Sequence, residues 1–89
     1  MALENLRYST GAGQTGDPAL VTALRAWRSE VARKRSVPAY VVLHDSTIDG
    51  IATQRPTTLN QLRGIPGIGD KKLEHYGDEL IALVKATVG

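Results

Sequence analysis

Cysteine is absent from the 89 residues of this chain. Disulfides, thiolate metal ligands and a thiol nucleophile are thereby excluded, and the composition fits a reducing, cytoplasmic setting. Long apolar runs are absent too: nothing approaches the roughly 20 residues of a membrane-spanning helix. No N-terminal stretch has the charged, apolar and small-residue blocks of a signal peptide, so no membrane partner is expected. A large excess of either charge is missing as well, with 11 basic residues against 9 acidic. The formal net charge of +2 is too small to name a partner by itself. A chain of this length makes one small domain, with modest stability and no room for a large enclosed cleft.

A catalytic constellation is also missing. His44 and Asp45 are adjacent, but no activated nucleophile accompanies them. His75 follows Glu74 without HExxH spacing or a third ligand, and it reads as a solvated helix histidine. Asp45 and Asp49 stand four apart and serve naturally at a helix start. No catalytic residue, metal site or cofactor is therefore expected.

Glycine and polar residues dominate residues 1–16, which read as a linker or tail. Gly11-Ala12-Gly13-Gln14-Thr15-Gly16 matches G-x-G-x-x-G, but no strand precedes it and no βαβ unit surrounds it. It is a glycine-rich linker, not a dinucleotide fingerprint. The domain is assigned to residues 17–89. Asp17 and Pro18 supply an N-cap and an N1 proline for a first helix. Leu20, Leu24, Trp27 and Val31 recur along it at helical spacing. Trp27 lies on that stripe and is read as core, with base stacking as the alternative. The helix fades near Lys34–Ser36, and Pro38 forbids its regular continuation.

Val37 to Leu43 form a short apolar run that has no partner as a strand, so an irregular or 3₁₀-like segment is expected there. Ser46-Thr47-Ile48-Asp49 and Thr58-Leu59-Asn60-Gln61 read as capping boxes opening two further helices. A last helix runs from Asp70 towards Thr87, with Gly77-Asp78 as a bend or restart. The expected fold is all-α, a compact bundle of about five helices.

Residues 62–76 carry the most specific pattern. A short helix stops at Gly64, a Pro66-Gly67-Ile68-Gly69 turn follows, and a charged helix restarts at Asp70. Gly67 and Gly69 can take positive φ and lack a Cβ, so the turn amides can approach an anion at a helix N-terminus. Lys71 and Lys72 follow in the first turn, against the helix dipole, which suits a phosphate partner. This is the helix-hairpin-helix pattern of nonspecific nucleic-acid readers. The same chemistry also serves folding alone, with Ile65 and Ile68 pinning the turn into a core. A second basic cluster gathers at the end of the first helix. Residues 17–44 hold Arg25, Arg28, Arg33, Lys34 and Arg35 against Asp17 and Glu30, whereas residues 45–89 are slightly acidic.

Taken in order, six blocks resemble the HRDC (helicase and RNase D C-terminal) domain. They are Leu24-Arg25-Ala26-Trp27-Arg28, Val37-Pro38-Ala39-Tyr40-Val41-Val42, Asp45-Ser46-Thr47-Ile48, Ile51-Ala52, Pro56-Thr57-Thr58-Leu59, and Gly64-Ile65-Pro66-Gly67-Ile68-Gly69 with Lys72-Leu73-Glu74 and Tyr76-Gly77. The match covers residues 17–87. The resemblance implies an all-helical accessory domain of a RecQ-type DNA helicase, or of RNase D, active in DNA repair and recombination. It implies weak binding of single-stranded or branched DNA by a cytoplasmic monomer, nucleoid-associated if bacterial.

By position in the family, the binding residues would be Lys34, Arg35, Tyr40, His44 and Thr47, and Arg28 of the basic cluster joins them as a candidate. Gly67, Gly69, Lys71 and Lys72 would add a second contact. Tyr40 beside cations suits base stacking, or else its ring packs into the core; His44 is either a contact or a solvated side chain. The acidic later helices set this chain apart from strongly basic members. Affinity should be low and steeply salt-dependent, and docking on the parent helicase or nuclease core is the alternative function.

Overall fold

The computed structural model describes residues 16–88, and they form five helices with no strand among them. These are α1 (Pro18–Arg35), α2 (Ala39–Val42), α3 (Asp45–Gln54), α4 (Leu59–Arg63) and α5 (Asp70–Val88). The first 15 residues, read above as linker, lie outside the described residues. Gly16 is already part of the domain. Its φ of +96° lets it lie flat on α3, where an added Cβ would sit 2.6 Å from the carbonyl carbon of Ala52. The Asp17 amide donates to the Ala52 carbonyl at 3.3 Å and ties the entering chain to α3.

α1 starts as its sequence dictates. The Asp17 carboxylate accepts from the Ala19 amide at 2.9 Å, and Pro18 occupies N1. It ends in a Schellman motif built on Ser36, in the left-handed region at φ 57°. The Ser36 amide donates to the Arg33 carbonyl, and the Val37 amide to that of Ala32. Arg33, Lys34 and Arg35 fill the last turn, where the dipole favours cations. α1 packs on α2, α3 and α5, so it is the spine of the bundle.

Three local expectations are corrected. The Val37–Leu43 run contains one α-helical turn rather than an irregular or 3₁₀-like segment, since Leu43 N–H closes an i→i−4 bond to Ala39. α3 begins at Asp45 with His44 as N-cap, so Ser46 lies inside the helix and its proposed capping box does not form. α5 runs through Gly77 and Asp78 without a break, because Gly77 is buried beneath Leu59 and Leu73, where neighbours hold the helix. The second capping box does form. Thr58 Oγ1 accepts from Gln61 N–H at 3.1 Å, while Gln61 Oε1 reaches one residue further back, to Thr57 N–H.

Leu20, Leu24, Val42, Leu43, Ile48, Ile51, Leu62, Leu80 and Val84 are fully buried. Each side chain of this kind removed from water contributes about 1.5–3 kcal/mol before chain entropy is counted. Ile65 and Ile68 join this core, which anchors the turn between α4 and α5. No described helix is long and apolar enough to cross a membrane.

Candidate nucleic-acid interface

α2 decides what the surface offers. Pro38 sets the entry to this single turn, which sends Val42 inward and Tyr40 outward. Tyr40 is 62% exposed, so its ring is not a core element. Its only described aromatic neighbour is His44, also exposed, with ring centroids 6.1 Å apart and planes 28° from parallel. Tyr40 and His44 border a shallow depression together with Ala39, Arg28, Asp45 and Ser46.

Arg28 is not free for a phosphate. Its side chain is only 12% exposed, and Nη1 donates to the Leu43 carbonyl at 2.9 Å and to Asp45 Oδ1 at 2.8 Å. That hydrogen bond, then the attraction of the same guanidinium, holds the Asp45 carboxyl below the usual carboxylate range. Arg28 is a strut between α1 and the start of α3. Thr47 is likewise withdrawn: it is buried, and its hydroxyl donates to the Pro66 carbonyl at 3.1 Å.

The two glycines of the turn part company. Gly67 has φ +97°, but an added Cβ would lie 2.0 Å from Thr47 Oγ1, so its bare Cα accommodates α3 rather than an incoming anion. Gly69 does not have positive φ, and a Cβ there would meet nothing within 4 Å. Packing against α3 therefore explains Gly67 but not Gly69.

The cations in the last turn of α1 fall into two sets. Arg33 and Lys34 both face Glu30, Lys34 at 4.0 Å. Arg35 turns the other way, over the Tyr76 ring at 6.0 Å from its centroid, and donates to the Tyr76 hydroxyl. Tyr76 in turn meets Trp27 edge-to-face at 5.3 Å, and the indole N–H donates to Glu79 at 3.0 Å. Trp27 is therefore a half-buried packing residue, as its helical stripe indicates. Lys71 and Lys72 stand on the same side as Arg35. Together with Val41, His75 and Tyr76 they line one depression between the end of α1 and the first turns of α5.

Residues 17–84 match the HRDC domain model. The chain belongs to the HRDC family. The ATP-dependent DNA helicase UvrD2 of Mycobacterium tuberculosis is 45% identical over 69 residues, 78% of this chain and 10% of the helicase. The ATP-dependent DNA helicase RecQ of Haemophilus influenzae is 35% identical over 69 residues, 78% of this chain and 11% of that protein. A solved structure, D. radiodurans RecQ HRDC domain 3, superposes with a TM-score of 0.74 at 32% identity, covering 76% of this chain and 90% of that one. The HRDC chain thus spans about a tenth of the helicases it matches.

Of the residues expected at a binding surface of this HRDC domain, Tyr40, His44, Lys34, Arg35, Lys71 and Lys72 reach the outside. Arg28 and Thr47 do not. His75 and Tyr76 were missed as neighbours of the cations. The signal was present in the spacing, since Lys71 and His75, and Lys72 and Tyr76, stand four apart on one helix face. Among the described residues, no three or more His, Asp or Glu side chains gather as a metal site.

Proposed function

We propose that this HRDC domain is the DNA-binding accessory module of an ATP-dependent DNA helicase. It takes single-stranded or branched DNA weakly and without sequence preference. The observation that carries this reading is the Tyr40 ring, mostly exposed on a one-turn helix and stacked on the exposed His44 ring. An exposed aromatic beside cations can stack on any base, which gives affinity without sequence readout. Lys34 and Arg35 provide the phosphate contacts, and their small number keeps both the affinity and the salt slope modest, the slope growing by about 0.7 per phosphate contacted on a single strand. The relatives named above are helicases, which favours a helicase parent over an RNase D-type nuclease and a role in DNA repair or recombination.

Docking on the parent helicase in cis is the second reading. It rests on Leu59, 43% exposed over Gly77, beside the exposed acids Glu74 and Asp78 of α5. Titration of the domain into labelled single-stranded and forked DNA at several salt concentrations separates the two. DNA binding requires affinity that falls with salt for both substrates. Absent binding, or affinity indifferent to salt, favours docking.

A further inference from the structure

Among the described residues, the cations around Tyr76 have no compensating carboxylate: none lies within ion-pair distance of Arg35, Lys71 or Lys72. Three of the nearby acids are engaged elsewhere, while Glu74 and Asp78, exposed on α5 itself, stand beyond ion-pair distance of all three cations. Asp70 takes Arg63 at 2.9 Å, Glu79 takes the Trp27 indole at 3.0 Å, and Glu30 takes Arg33 and Lys34. Lys72 Nζ has only the Val41 carbonyl, at 3.4 Å. Gathering like charges at the start of a helix is unfavourable twice over, by mutual repulsion and by the dipole. Tyr76 lines the depression with these cations, and its hydroxyl and ring hold Arg35 in place.

We propose that this depression is an oxyanion subsite for phosphate, built by Arg35, Lys71, Lys72 and His75 on the Tyr76 ring. Arg35 offers a planar fork of donors, the lysines offer mobile ammonium groups, and the imidazole offers an N–H in either protonation state. Val41, on its rim, directly follows Tyr40 in α2. A strand whose base stacks on Tyr40 therefore delivers a neighbouring phosphate to this subsite, and in that respect the inference rests on the DNA reading above. The subsite extends the contact from the end of α1 across to α5.

Amide-detected NMR titration of the chain tests this with two probes, short oligothymidylate and inorganic phosphate alone. Both should perturb Arg35, Lys71, Lys72 and His75, and the oligonucleotide should also perturb Tyr40 and His44. Lys71→Gln and His75→Gln, at exposed positions, should melt like the parent. Each should weaken oligothymidylate binding several-fold, and Lys71→Gln should flatten the salt dependence. Perturbation by inorganic phosphate but not by the oligonucleotide would keep the subsite and remove DNA as its source. Shifts confined to Tyr40 and His44, with parental affinity in both variants, would overturn the subsite and leave the Tyr40 reading standing. Silence at the depression with both probes would overturn it outright.

Discussion

Thr47 Oγ1 occupies the space that a side chain on Gly67 would need: a Cβ there would sit 2.0 Å from it. The same hydroxyl donates to the Pro66 carbonyl at 3.1 Å, so α3 and the α4–α5 turn are interlocked through one oxygen atom. Gly67→Ala is expected to destabilise the domain by about 2–4 kcal/mol, from positive φ and overpacking together. Thr47→Ala alone should cost about 1–2 kcal/mol for the lost hydrogen bond and methyl. The double variant should be more stable than additivity allows, because removing Oγ1 makes room for the new Cβ. Urea melts of the four proteins measure the coupling, and strict additivity would refute the interlock.

Gly77 should behave in the opposite way. It lies in the interior of α5, and its new Cβ would meet the tip of Leu59, an exposed side chain free to rotate, at 2.8 Å. Alanine in place of a mid-helix glycine gains about 1 kcal/mol of helix propensity. Gly77→Ala is therefore expected to leave stability unchanged or raise it by up to about 1 kcal/mol in the same melts. A loss as large as that of Gly67→Ala would mean that Leu59 is fixed.

Arg28 and Asp45 give the domain an acid-sensitive bond. The carboxyl of Asp45 is held below its ordinary value by the Arg28 hydrogen bond and charge. A carboxylate lowered in the folded state contributes stability above its unfolded pKa, near 3.9, and loses it as pH falls through the lowered folded value. Asp45→Asn should thus be less stable than the parent at neutral pH, and the difference should vanish in strong acid. Thermal melts across an acid pH series check this; a gap between the proteins that does not change with pH would contradict it.

What was legible in the sequence was local. Asp17, Pro18, Thr58 and Gln61 announce helix starts because a cap involves residues two or three apart. Positive φ at Gly67 follows equally from its turn. The fates of Arg28, Thr47 and Arg35 were not legible, because their partners Asp45, Pro66 and Tyr76 are 17, 19 and 41 residues away. Resemblance placed Thr47 and the basic cluster placed Arg28 on a binding surface, whereas Thr47 is buried and Arg28 is held by Leu43 and Asp45. The α3 start was misread for a related reason. Ser46 looks like a cap, but the helix starts one residue earlier at Asp45, whose carboxylate accepts from the distant Arg28, and His44 stands at the boundary.

The central claim is that the Tyr40 ring serves a ligand and not the fold. Fluorescence anisotropy of a labelled single strand against the parent and Tyr40→Ala, with a thermal melt of each, tests it most directly. The ring is largely exposed and stacks only on His44 among the described aromatic groups, so the two melts should coincide. Affinity should fall by about 1–3 kcal/mol, roughly five- to more than a hundredfold, whatever the sequence of the strand. A Tyr40→Ala protein that melts with the parent and binds DNA equally well would contradict the account.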